Sequence, residues 1–341
     1  MAVSFTKEQK AAVALQALCA FYGLKKAKDI AARRRKIIED GKQKKGEGAI
    51  QKVPTGSNKL VDHPLVAWFF ANLGPIVVAV AHQRLSNSLK FGESKISKVL
   101  KELVLVITLE EVHMAYCWFL CNQVYSHIPF FDKKRAKQTF GEVFSDYLTC
   151  NFPISVIGAI MQVFVFGPQK EMIRQKSPKS TRFRPLLFMF KLAYCRVMTD
   201  FLFWVGHYLM HKRENYWIHK RHHEHNKTKL TTNYHFDFRD FAIEAFIPYI
   251  ISLASLLNLH SKLYVDKIEE NMLFGYVLGL EMLSHCGKPL PVMSIFPPLS
   301  PLLTYWDDWN VWFHETHHNL LKCNYSITPY WDALFGTAKY P

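Results

Sequence analysis

The sequence predicts an all-α integral membrane protein, a bundle of about four transmembrane or re-entrant helices carrying a cytosolic, histidine-rich helical cap. Three observations lead there. Hydrophobic residues make up 49% of the 341 and aromatic ones 14%, yet mean hydropathy is near zero because apolar runs alternate with basic connectors. Histidines gather in three clusters whose spacing is helical. No segment asks for a sheet.

Taken in order, residues 1–60 form a basic arm. Residues 13–24 read as a short amphipathic helix, too short and too close to charges for a secretory signal peptide. The basic tract Lys25, Lys26, Arg33, Arg34, Arg35, Lys36 follows, then Gly- and Lys-rich sequence to Lys52. Such an arm suits a membrane surface on the cytosolic side. Residues 61–341 form the membrane-embedded domain, with its histidine-rich part at 200–341.

Four apolar segments open that domain: 64–81, 103–124, 154–166 and 186–206. The second is interrupted by Glu110, Glu111 and His113, which face a bundle interior or mark a bent helix. The third lies between Phe152-Pro153 and Gly167-Pro168, and the fourth contains Lys191, Arg196 and Asp200. Residues 241–259 are apolar but hold Glu244 and Pro248, which suits a helix buried in protein or dipping into the membrane. Residues 272–283 deliver Ser284-His285-Cys286-Gly287, the Pro-rich stretch 289–301 is loop, and 307–321 is a helix. Every connector is basic, so the Lys/Arg bias does not fix orientation.

A net charge of +15 would also suit a nucleic-acid binder. Here the basic residues fall between apolar runs and not in an aromatic-interleaved patch. Anionic lipid headgroups are the better partner, and no nucleic acid is expected. The seven cysteines are odd in number and include no C-x-x-C, so they read as reduced, buried small residues.

The histidines carry the chemistry. His207 and His211 are spaced H-x-x-x-H; His219, His222 and His223 are spaced H-x-x-H-H; His314, His317 and His318 repeat that second spacing. His235 and His285 stand between the second and third clusters. Positions i, i+3 and i+4 share a helix face, so each cluster aims two or three imidazoles at one point. Neutral imidazole suits iron, zinc, copper and nickel. Eight clustered histidines exceed one four-coordinate zinc, and with His235 and His285 they suffice for two metal ions with open positions. The third cluster also satisfies H-E-x-x-H through Glu315, a zinc metalloprotease signature. That reading leaves His317 and both other clusters without a role.

These residues resemble the fatty acid hydroxylase/sterol desaturase superfamily of membrane di-iron oxygenases, whose three histidine motifs match the clusters residue by residue. His285-Cys286-Gly287 with Leu290-Pro291 matches as well, and so does the tail Asn324-Tyr325, Trp331-Asp332 and Phe335-Gly336-Thr337. The resemblance covers about residues 185–341. It departs at Glu315, where sterol-acting members often carry an aspartate, and at His235-Phe236, where they often have His-Pro.

The resemblance implies two iron ions held by the ten histidines, with zinc as a substitute in purified protein, and dioxygen-dependent oxidation of an unactivated C–H bond. It implies a multi-pass protein of the endoplasmic reticulum membrane with its histidine clusters facing the cytosol. The lipid substrate is a sterol or, in the alternative, a long-chain base such as sphinganine. A metal-binding membrane scaffold without catalysis is a further alternative. His63-Pro64 matches the haem-binding pair of cytochrome b5 domains, but the Gly-Gly that follows there is missing. Electrons from NAD(P)H are therefore expected through a separate cytochrome b5 and its reductase.

Overall fold

Prolines and small polar residues open the long helices. The computed structural model describes residues 6–39, 58–131, 137–167, 183–225, 227–260, 263–294, 296–299 and 307–339, so the Gly- and Lys-rich stretch and part of the Pro-rich one lie outside the described residues. Helix α2 (Pro64–Ser88) starts on a proline, with the His63 Nδ1 accepting from the Leu65 amide at 3.3 Å. Helix α3 (Lys95–Val124) starts at Ser94, whose hydroxyl accepts from the Ser97 amide. Helix α4 (Phe140–Val165) starts with a reciprocal Thr139–Glu142 capping box. This cap lies well ahead of residue 154, so the third apolar helix is longer than its apolar run.

With Phe238–Leu259 (α6), these three are the helices long and apolar enough to cross a membrane among the described residues. They leave Phe69, Val77, Leu100, Phe152 and Phe164 exposed, a surface for acyl chains and not for water. No strand occurs among the described residues, and the chain is a helical membrane bundle.

The fourth span corrects the sequence reading. Residues 186–206 do lie in one helix, α5 (Pro185–Met210), but α5 is not among the helices apolar enough to cross, and α6 takes its place. The reason is its charges, which are buried and paired inside the protein. The Lys191 ammonium meets the Glu269 carboxylate at 2.6 Å and donates to the Tyr264 carbonyl. Arg196 donates to the Tyr276 carbonyl at 3.3 Å. Buried charges of this kind stay only where partners offset their desolvation. Helix α7 (Lys267–Ser284), capped by Asp266 and Glu269, supplies those partners and packs along α2 and α3.

The basic arm is more structured than its sequence suggests. Helix α1 runs over Lys7–Glu39, well beyond residues 13–24, and lies against α9 (Pro329–Phe335). Its buried stripe is small: Ala20, Gly23 and Ala27. A Cβ at Gly23 would stand 2.3 Å from the Tyr330 carbonyl oxygen, so only glycine permits this approach. Ala27 packs with Phe313 of α8 (Asp307–Leu320) and Ala333 of α9. Gln16 reaches the Tyr194 carbonyl of α5.

The core has two parts. One fills the space between α3, α7 and the loop after α7, with Met114, Leu120, Tyr125, Leu283 and Leu290 among its members. The other joins α5, α6 and α7 through Leu192, Leu256 and Leu273. Beyond the core, the ends of α5, α7 and α8 meet.

Candidate metal centre

His207 lies in the last turn of α5 and His211 caps it. His219, His222 and His223 follow in two short helical turns. His285 caps α7, and His314, His317 and His318 lie on α8. The clusters do not each build a site of their own. His207, His211, His219, His223 and His317 form one group, and His222, His285, His314 and His318 another, with the nitrogens of each group all within 4.8 Å of one another.

The hydrogen bonds around the rings fix which nitrogen points inward. His207 donates its Nδ1–H to the Tyr325 carbonyl at 2.6 Å, His317 to the Cys323 carbonyl at 2.6 Å, and His285 to the Glu281 carbonyl at 2.7 Å. The His219 Nδ1 faces the Asp240 carboxylate at 2.9 Å. A ring that gives its Nδ1–H to an acceptor presents a lone pair at Nε2.

These Nε2 atoms converge. In the first group they are 3.2 Å apart for His207 and His211, and 3.1 Å for both His211–His223 and His223–His317. In the second group His285 and His314 approach to 2.7 Å and His314 and His318 to 3.2 Å. The buried Nε2 of His219 has no hydrogen-bond partner among the described residues. Lone pairs packed this closely repel unless a cation sits among them, so the donor set fits transition-metal ions. Burial, followed by the mutual repulsion of their charged forms, keeps the rings neutral and ready to ligate. It holds His285 and His317 down to about 4, and His207, His219, His222, His314 and His318 well below the usual imidazole range.

His235 lies outside both groups. It stacks on His225 with ring centroids 4.1 Å apart, and its Nε2 meets the Glu224 carboxylate at 3.0 Å. Glu315, the acid of the H-E-x-x-H pattern, accepts a hydrogen bond from the Thr228 hydroxyl and belongs to neither group. His314 and His318 of that pattern do share a group, but His317 between them turns to the other.

Two carboxylates join the site: Asp240, which the sequence reading passed over, and Glu244, which it read only as an interruption of an apolar helix. Asp240 and Glu244, on α6, are buried beside His219, and the Glu244 Oε1 stands 3.5 Å from the His207 Nε2. Gly206 admits α6 here, since a Cβ at that position would be 2.8 Å from Ile243. Two acids four residues apart on an otherwise apolar helix were the available signal. They offset the positive charge that metal ions would bring into a buried site of neutral ligands.

The tail motif also acquires a physical role. Asp332 accepts hydrogen bonds from the Tyr325 and Ser326 amides at 2.8 and 2.7 Å, and from the Thr337 hydroxyl. Asp200 of α5 accepts from the Ile327 amide at 2.8 Å and from the Thr328 hydroxyl. Asn324, at a positive φ of 57°, donates to the Phe313 carbonyl and accepts from the Lys339 amide. Together they fix the loop whose carbonyls at Cys323 and Tyr325 orient His317 and His207.

A small cavity of about 30 Å³ opens on the second group, touching His222, His285 and His314. It shares Asn233, Phe236, Phe241, Ala245 and Glu281 with a second, mostly apolar cavity of about 80 Å³ between α3, α6 and α7. The four-histidine group therefore faces a cavity whose wall adjoins a second, apolar one among the membrane helices. Residues 192–337 match the fatty acid hydroxylase family model.

Residues 192–337 are thus similar to a fatty acid hydroxylase domain.

A cholesterol 25-hydroxylase-like protein of Danio rerio is 31% identical over 158 residues, 44% of this chain. The matched stretch spans 55% of that relative's own length. No solved structure matches. The fatty acid hydroxylase match encloses both histidine groups and the tail from Asn324 to Thr337, whereas α1 to α4 lie outside it.

Proposed function

We propose that this chain is a dioxygen-dependent membrane oxygenase that hydroxylates an unactivated C–H bond of a lipid, a sterol in the first instance. The observation that carries the reading is the pair of buried imidazole groups, one of which opens on a cavity beside the membrane helices. Two irons are the metals of this proposal, since zinc has no redox chemistry to offer. His207, His211, His219, His223 and His317 would hold one, and His222, His285, His314 and His318 the other. Bound there, the irons supply dioxygen reduction coupled to C–H oxidation.

The overall balance is one C–H bond, one dioxygen, two electrons and two protons giving one C–OH and one water. No complete haem or flavin signature lies in the sequence, so the electrons come from NAD(P)H through a separate cytochrome b5 and its reductase. The protein's own part is to bind and to exclude. Phe236, Phe241 and Phe246 give the substrate a dry wall, and the carbonyls of Tyr325, Cys323 and Glu281 hold the ligand rings in place. The setting that fits is the endoplasmic reticulum membrane with the histidine groups on the cytosolic side, within reach of soluble reductant. The name of the Danio rerio relative supports a sterol over a long-chain base.

Lipid profiles of cells with and without the chain test this directly, read separately for sterols and long-chain bases. An oxygen-dependent hydroxysterol is expected. A hydroxylated long-chain base alone would move the substrate to the sphinganine type, and no new lipid at all would leave a metal-binding scaffold. Purified protein given NADH should need added cytochrome b5 and reductase.

A further inference from the structure

The first turns of α6 are built to bring an acid against the histidines. Asp237 caps the helix by accepting from the Arg239 and Asp240 amides. The next turn is wide, with the Ile247 amide donating to the Ala242 carbonyl five residues back. Pro248 follows and has no amide hydrogen to offer the Glu244 carbonyl, so a regular turn does not close here. Widened turns of this kind are frequent at functional sites. Gly206 lets the turn come against α5, and Glu244 ends up 7% exposed beside His207 and His219.

The two acids of this turn are placed differently. His219 donates its Nδ1–H to the Asp240 Oδ1 at 2.9 Å, which holds the ring. The Glu244 Oε1 stands 3.6 Å from that same Nδ1 and 3.5 Å from the His207 Nε2, and it has no hydrogen-bond partner among the described residues. Neither ring has a hydrogen left for it. A neutral imidazole carries one N–H. That of His219 goes to Asp240, and that of His207 goes to the Tyr325 carbonyl at 2.6 Å.

Glu244 thus turns a lone pair toward the lone pair of a ligand nitrogen. Two acceptors so placed repel, and a buried carboxylate is kept where it is paired or bound to a metal ion. Two donor atoms each about 2.1 Å from one ion stand about 3.0 Å apart at a right angle and about 3.4 Å apart at the tetrahedral angle. The observed 3.5 Å between the Glu244 and His207 atoms is close to that range. His219 is correspondingly a member of two clusters, the five histidines and a set with Asp240 and Glu244.

We propose that Glu244, through Oε1, is an anionic ligand of the ion held by His207, His211, His219, His223 and His317, with Asp240 positioning His219. The proposal rests on the metal reading above and not on the oxygen chemistry. It makes the two groups chemically different. The five-histidine group gains a negative charge and a sixth donor, whereas the four-histidine group stays uncharged and opens on the small cavity. An ion that prefers six ligands is complete in the first and two short in the second.

The test uses the full chain in phosphatidylcholine nanodiscs, freed of metal with a chelator and titrated with cobalt(II) by calorimetry. Infrared difference spectra between cobalt-loaded and metal-free protein report whether a carboxylate becomes a ligand. Unaltered protein should bind two ions and show carboxylate bands in the difference spectrum. Glu244→Gln, nearly the same in shape, should weaken one ion roughly 10–100-fold, the loss usual even for groups that only support a ligand. It should leave the other ion unchanged and remove those bands. Its metal-free melting midpoint should stay level or rise, because an unpartnered buried carboxylate is gone. Asp240→Asn should weaken the same ion but keep the bands, since Glu244 still binds.

Glu244→Gln protein that binds both ions as before, with the carboxylate bands intact, would overturn the proposal and leave the metal reading standing. So would a lowered metal-free midpoint with both ions weakened alike, the mark of a residue that serves only the fold. Unaltered protein that binds no cobalt would overturn the metal reading and the proposal with it.

Discussion

His222 and His223 are neighbours in the chain, yet their rings stand at 83° to each other and each enters a different histidine group. One short helical turn thus serves both groups at once. The groups are unequal: His222 belongs to a set of four imidazoles and His223 to a set of five.

Replacing either residue should therefore have graded effects. His222→Ala leaves three imidazoles in its group and should empty it. His223→Ala leaves four and should lower affinity without emptying the site at saturating metal. Since losing even a group that only supports a ligand costs roughly 10–100-fold in metal affinity, both effects lie within reach of metal analysis after dialysis. Equal metal content in both variants and the unaltered protein would contradict the two-group arrangement. Elution volume in detergent should be checked alongside, because loss of metal can unfold its site.

Asp332 touches no histidine, but it holds the amides of Tyr325 and Ser326. Asp332→Ala should free the loop that presents the Cys323 and Tyr325 carbonyls to His317 and His207. Affinity at the five-histidine group should fall roughly 10–100-fold, with the four-histidine group spared. Stepwise metal titration separates the two. A uniform loss at both groups would point to general unfolding.

Acid should destabilise the metal-free protein. His285 and His317 are held down to about 4, chiefly by burial, against an ordinary imidazole value of 6.5. Above pH 6.5 neither the folded nor the unfolded chain protonates these rings, and the stability tied to them is complete. As pH falls from 6.5 toward 4, the unfolded chain takes up protons that the folded chain refuses, so stability declines through that window. Thermal melts of metal-free protein at pH 7.5, 5.5 and 4.5 should show a falling midpoint. Bound metal competes with protons for the same lone pairs and should move the decline to lower pH.

The contact between α1 and α9 can be pried apart. Gly23→Val places a branched side chain against the Tyr330 carbonyl and should cost about 1–3 kcal/mol, the usual range for overpacking. Limited proteolysis in intact membranes should then cut residues 7–39 faster than in the unaltered protein. Unchanged cleavage would mean that α1 does not depend on this contact.

Much of the histidine grouping was legible because imidazoles on a helix obey the same spacing as any side chain. Nine of the ten sequence candidates meet in the two groups. The partition between groups was not legible. It depends on how the turn around His222 and His223 twists and on α8 sending His317 one way and its neighbours the other, which are tertiary facts. His235 shares the residue type but sits on a turn that faces Glu224. Helix α1 was underread because its buried stripe is built of alanine and glycine, which add little hydrophobic contrast. The charges of α5 misled in the other direction: an apolar helix with three of them reads as an imperfect span until Glu269 and the tail loop appear beside it.

The packing of α1 on α9 has a consequence for the order in which the protein is made. Pro329 follows Glu39 by 290 residues, so α1 leaves the ribosome long before its partner exists. The carbonyls that orient His207 and His317, and the carboxylate that fixes their loop, emerge later than every histidine of either group. A chain halted at residue 320 would carry all nine imidazoles and still lack the acceptors that aim two of them. A metal ion entering the five-histidine group would therefore find His207 and His317 aimed only once residues 323–332 have been made.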